Sequence, residues 1–407
     1  MPHAATERTH VFVTRQPILD AAGAVQAYEL LYGEPSNSRS NDPDQTGEHG
    51  LVDAVITFGL DVVAQGRPAF LTLPRELLVQ AARLLPSTRT VVQIRHDLPI
   101  DDEVMAACGD LKRAGYGIAL DWRTADQPST ALLPFADYIK IDGVNLEALR
   151  RFPGGRSSTG ARTIAAGVES AAEQAEARAA GATLFQGGYF CRPATCRAGV
   201  LPARRHAYLQ LLAALRRPNV GVRDVEELIR HDVSLTVRLL KCINSAAYGL
   251  RNPVTSIRQA LVLLGLEPVR KWASIWAVSG LNGGGSTELV AVALLRARCC
   301  ELLGQRQCRR EGDEGLFLLG LCSLLDAMMD RPLADAIADL PLDPEIRHAL
   351  LGGQNDARAL LDAVVAYEHG DWDSAAARMQ AMDLPPDAAA AAYGEAMSWV
   401  RDFSSAA

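Results

Sequence analysis

The strongest constraint on this chain is an alternation in its first half. Short apolar runs at Ala69–Leu73, Val91–Arg95, Gly117–Asp121, Tyr138–Asp142, Thr163–Val168 and Thr183–Gly187 are separated by helical spacing at Arg75–Leu84, Asp102–Ala114, Asn145–Arg151 and Ser170–Ala180. Buried strands alternating with amphipathic helices make βαβ units, and those build a parallel sheet. A hairpin precedes them: VFVTRQPILD, a turn at Asp20–Gly23, then AVQAYELLYG. Strands in this number and order can close into a barrel.

Within the series, the stretch Gly115–Asp142 carries the most chemistry. Its two strands each end in a carboxylate, at Asp121 and Asp142, and Lys140 lies in the second. In a parallel barrel the carboxyl ends of the strands converge on one mouth, where function is built. Asp121, Lys140 and Asp142 are therefore expected to share a pocket.

Composition narrows the function classes. A chain of 407 residues suits two domains. A formal charge of −7 argues against a general nucleic-acid binder, which needs a basic face. No apolar run approaches the roughly 18 residues needed to cross a bilayer. The opening MPHAATERTH has no apolar core of a secretion signal, so the cytoplasm is expected. Of the eight cysteines, only Cys191 and Cys196 have even loosely ligand-like spacing, and no histidine follows nearby. The thiols are expected to be buried and inert, with no metal site.

The words YELLYG, GIALDW, DYIKID, AAGVES and FQGGYF, in this order over residues 10–198, resemble the EAL domain. That family degrades the bacterial second messenger cyclic di-GMP on a modified TIM barrel whose first strand runs antiparallel. The resemblance implies a vestigial pocket made of Glu29, Asp121, Lys140, Asp142, Glu169 and Gln186. Four positions depart from the family's pattern. Thr72 stands for its strand-end Asn, Gln93 for a Glu, Trp122 for the second Asp, and Ala166 for the glutamate that acts as general base.

Two-metal hydrolysis of a phosphodiester needs clustered hard anions to hold Mg²⁺ or Mn²⁺ and ionise water. Trp and Ala supply no such oxygen, and losing one general base typically costs about 10²–10⁴ in rate. The expectation is no phosphodiesterase activity, no catalytic residue, no metal and no cofactor. Three readings of the survivors stay open. They are an ion pair closing the barrel mouth, a cyclic di-GMP receptor lined by Glu29, Arg123, Lys140 and Gln186, or a residual phosphodiesterase.

Beyond a Pro-, Gly- and Arg-rich stretch at residues 192–205, apolar residues recur at spacings of three and four and nothing alternates as a strand. Ser256 followed by Gln259 signals a capped helix, and Pro268 and Pro344 suit first turns. The run Ser234–Gly265, with its N-S-A-x-Y word (Asn244, Ser245, Tyr248) and T-S-I-x-x-A word (containing Ser256), resembles the HDOD domain. That family is an all-helical relative of the HD hydrolases without their metal ligands. Where an active relative has His-Asp, this chain has Ser323 and Leu324. Two His-Asp dipeptides, His96-Asp97 and His231-Asp232, stand outside the family's ligand words. Trp272 and Trp276 read as a core or partner-facing stripe.

The expected organisation is a degenerate EAL-like barrel over 1–198 and a helical HDOD domain over 199–407. The resemblance implies a bacterial signalling regulator that contacts protein partners through its HDOD half. Cyclic di-GMP is an alternative ligand, and neither nucleic acid nor membrane is expected as a partner.

Overall fold

A computed structural model describes residues 12–33, 60–80, 86–123, 128–143, 145–152, 160–192, 221–230, 256–282, 286–307, 313–338 and 342–406, with a few single positions between 208 and 254 and Leu340. Eight strands close a barrel in sequence order. They are β1 (Phe12–Asp20), β2 (Val25–Gly33), β3 (Ala69–Thr72), β4 (Thr90–Ile94), β5 (Gly117–Trp122), β6 (Tyr138–Asp142), β7 (Arg162–Ala166) and β8 (Leu184–Phe185). β1 runs antiparallel to both β2 and β8, and every other pair is parallel. This is the modified barrel expected from the sequence.

The local chemistry explains the turns. The Asp20 carboxylate accepts from the backbone N–H groups of Ala22 and Ala24, and Gly23 takes φ 82°. That fixes the β1–β2 hairpin. The helix Asp102–Arg113 starts at Asp101, whose carboxylate accepts from Val104 N–H, and ends in Lys112 and Arg113, which suit the negative end of the helix.

The chain divides into two compact units. One runs to Tyr189 and also takes in Ala363–Gly394; the other comprises Phe190–Asp362 and Glu395–Ala407. A single cut at 198/199 does not describe this division. The reason is an aromatic cluster. Phe12, at the start of β1, packs against Tyr367 (5.9 Å) and Trp372 (5.8 Å), and Tyr367 packs against Tyr393 (5.1 Å). The Tyr367 hydroxyl accepts from Val13 N–H at 3.0 Å and donates to Val13 C=O at 2.9 Å, supplying partners on the edge of β1 that β2 does not cover. Loss of strand patterning near residue 192 marks where the barrel's own strands end. It carries no signal that a helical segment later packs with the first strand.

The second unit is helical wherever it is described. Ser256 caps Ile257–Leu264, its hydroxyl accepting from Gln259 N–H. Pro268 falls in the first turn of Leu266–Leu281, and Pro344 opens Pro344–Leu350. Two short helices, Asp313–Cys322 and Leu325–Met329, follow one another with a break between them. The Ser323 hydroxyl donates to Gly320 C=O at the break, competing with the helical ladder. Gly320 itself is required by packing, because a Cβ there would lie 2.4 Å from the backbone of Ala297. Trp276 is buried as the stripe reading expected. Asn244, Ser245, Tyr248 and His231-Asp232 lie outside the described residues.

Replacing Tyr367 with Phe removes both bonds to Val13 and leaves buried backbone groups unpaired. The expected loss is about 2 kcal/mol of stability, read from the denaturation midpoint of the full chain.

Candidate functional site

Strand alternation builds the site in tiers. One apolar floor crosses the barrel, formed by Ile18, Ala27, Phe70, Val91, Ala119, Ile164 and Leu184, with Tyr138 packed against them. Side chains on one face of a strand recur every second residue. Two positions on towards the mouth (two positions earlier on antiparallel β1) stand Gln16, Glu29, Thr72, Gln93, Asp121, Lys140, Ala166 and Gln186. Four expected survivors, Glu29, Asp121, Lys140 and Gln186, and three expected losses, Thr72, Gln93 and Ala166, thus fall on one polar tier. Trp122 does not belong to it. Its side chain takes the opposite face of β5, is 2% exposed, and meets Phe152 edge-on at 4.7 Å. In this chain position 122 is a packing position.

Glu29 is the centre of the tier. It is 5% exposed. Lys140 Nζ donates to its Oε1 at 2.8 Å and its Oε2 at 2.7 Å. The Gln186 amide also donates to Oε2, and to Gln16 Oε1 at 3.1 Å. Gln93 adds a further hydrogen bond to the same carboxylate. Burial works against the Glu29 charge. The Lys140 ammonium and the two amides outweigh it and hold the carboxyl below its ordinary 4.5. Gln186 is aimed by the glycine after it. Gly187 has φ 147°, and a Cβ there would lie 2.1 Å from Val168 C=O.

The other survivors stand apart from this cluster. Asp121 neighbours Lys140 in register, but its carboxylate lies 3.0 Å from His96 Nδ1. Asp142 pairs in register with Ala166 and is exposed. Glu169 is exposed at the start of the helix Ala171–Ala180. Its N–H donates to Glu173 and its carboxylate accepts from Gly188 N–H at 3.4 Å. Of the six positions, Glu29, Lys140 and Gln186 are joined by hydrogen bonds, Asp121 adjoins them, and Asp142 and Glu169 do not.

Sequence reasoning missed Gln16, the donor role of Gln93, and the partner of His96. The sequence showed His96 only as part of a His-Asp dipeptide outside the family's ligand words. In the fold Asp97 holds Arg95, and His96 reaches Asp121, 25 residues away. Only barrel closure reveals that contact.

This donor set does not fit a divalent ion. Mg²⁺ and Mn²⁺ need several hard oxygens, yet both Glu29 oxygens already accept from N–H donors. A cation there would have to displace Lys140 and Gln186. Among the described residues no three His, Cys, Asp or Glu side chains come together as metal ligands. Cys108, Cys299, Cys300 and Cys322 are buried, and burial pushes the Cys108 thiol up to about 11. At the position of the HD pair in the second unit, the buried Arg296 donates to the Ser323 hydroxyl at 3.4 Å, and burial raises the Asp326 carboxyl. No helix among the described residues is long and apolar enough to cross a membrane.

Residues 201–327 match the HDOD domain family. The chain thus places an eight-stranded barrel before an HDOD domain. The uncharacterized protein YuxH of Bacillus subtilis is 30% identical over 412 residues, covering 97% of this chain and 99% of YuxH. The chain belongs to the same family as YuxH. The cyclic di-GMP phosphodiesterase CdgJ of Vibrio cholerae is 29% identical over 369 residues, 89% of this chain and 85% of CdgJ. Among solved structures, the manganese and cyclic di-GMP complex of Klebsiella pneumoniae BlrP1 at pH 9.0 is 18% identical with a TM-score of 0.38. It covers 46% of this chain and 56% of that one.

Lys140→Met should cost about 3–5 kcal/mol, because it strands a buried carboxylate, and adding Glu29→Gln should restore most of that loss. The linkage has a definite sign. Glu29 is depressed in the fold, so its contribution is fully present above its ordinary 4.5 and lost as pH falls through the lower folded value. Unfolding midpoints should therefore fall more steeply on acidification for the native chain than for Glu29→Gln.

Proposed function

We propose that this chain is a non-catalytic regulator in cyclic di-GMP-related signalling, acting by contact with protein partners through its HDOD half. The observation that carries the reading is the saturation of Glu29. Its two oxygens accept from Lys140, Gln186 and Gln93. The same tier offers Thr72 and Ala166, which add no anion. A phosphodiesterase of the two-metal type needs the reverse: carboxylates left open for cations, and a base to accept a proton from water.

CdgJ bears the name of a phosphodiesterase, and that favours residual turnover as the competing reading. One preparation of the full chain separates the possibilities. With Mg²⁺ or Mn²⁺ present, cyclic di-GMP should remain intact over hours, and calorimetry should register no heat of binding. Metal-dependent formation of a linear dinucleotide would overturn the reading. Heat without turnover would instead mark a receptor.

A further inference from the structure

We propose that His96 is a phosphoryl-acceptor site, taking a phosphoryl group on Nε2 from a donor of the acyl phosphate or phosphoramidate type. His96 lies just beyond β4 and Asp121 next to the carboxyl end of β5, so both stand at the barrel mouth. Their side chains are 31% and 25% exposed, and Nδ1 lies 3.0 Å from Asp121 Oδ2. An ionised carboxylate can only accept, so the neutral imidazole carries its proton on Nδ1. Nε2 is then the nucleophilic nitrogen, with its lone pair directed away from the carboxylate.

The outer rim supplies cations for the incoming oxygens. Arg95 and Arg123 directly follow the ends of β4 and β5, and both are exposed. The Arg95 guanidinium is fixed beside His96 by Asp97, through Nε at 2.9 Å and Nη2 at 2.5 Å. Guanidinium groups match the oxygens of a phosphoryl group.

The step balances without oxidant or reductant. The Nε2 lone pair attacks phosphorus and forms the P–N bond. The bond from phosphorus to the donor's leaving oxygen or nitrogen breaks and takes its electron pair with it. An acyl phosphate thus releases its carboxylate, and a phosphoramidate already protonated on nitrogen by solvent releases its neutral amine. The Nδ1 proton stays hydrogen-bonded to Asp121, whose negative charge offsets the positive imidazole. This inference is independent of whether the mouth hydrolyses cyclic di-GMP.

The test uses the full chain with nitrogen-15-labelled histidine, treated with acetyl phosphate in one arm and potassium phosphoramidate in the other. The two arms distinguish an acyl phosphate source from a P–N source. Phosphorus NMR with tandem mass spectrometry should find one acid-labile phosphoryl group on Nε2 of His96 in at least one arm. His96→Gln should remove it. Asp121→Asn should slow labelling by about 10–100-fold, with thermal melting showing that the variant is folded. No labelling in either arm, labelling only at other histidines, or a folded Asp121→Asn variant labelled as fast as the native chain would each overturn the proposal.

Discussion

Neutralisation of one buried carboxylate governs the character of this barrel. Glu29 is taken out of water by the barrel wall, and an ion so placed needs partners or must lose its charge. Here the partners are an ammonium and two amides. Every one of them is an N–H donor, and every one comes from the same tier. Lys140 satisfies the charge, while Gln93 and Gln186 satisfy the remaining hydrogen-bonding capacity. The consequence is chemical as well as structural. A carboxylate whose oxygens are already accepting from fixed donors is a poor ligand for a hard cation.

The barrel makes this arrangement easy to reach. Its apolar floor occupies one set of alternating positions, so the next residue on the same face of each strand enters the polar tier automatically. A substitution there leaves the floor untouched. Thr72, Gln93 and Ala166 therefore change the chemistry of the mouth without disturbing Phe70, Val91 and Ile164 beneath them. Trp122 shows the complementary case. On the outer face of β5 a large apolar ring packs against Phe152 and contributes to burial instead.

Much of this was legible in the sequence, and the limits have physical causes. Strand alternation, the hairpin turn at Asp20–Gly23 and the capped helix after Ser256 are local signals, and local signals survive in a linear chain. The grouping of Glu29 and Gln186 with Lys140 came with the resemblance to the EAL domain, whereas convergence of strand ends had joined Asp121, Lys140 and Asp142, of which Asp142 stands exposed and apart. Three features were not legible. The His96–Asp121 contact depends on how β4 and β5 register. The face taken by Trp122 depends on where β5 begins its alternation. The return of Tyr367 to Val13 spans 354 residues and leaves no periodic trace. In the helical half the contact of Arg296 with Ser323, 27 residues on, was equally hidden from local signals.

Closure of Glu29 to divalent cations by its own N–H partners is open to direct test by anomalous diffraction at the manganese edge, from crystals grown in millimolar Mn²⁺ with cyclic di-GMP. No manganese peak is expected within bonding distance of Glu29, with Lys140 still on its carboxylate. Manganese bound between Glu29 and Asp121, with Lys140 displaced, would contradict it.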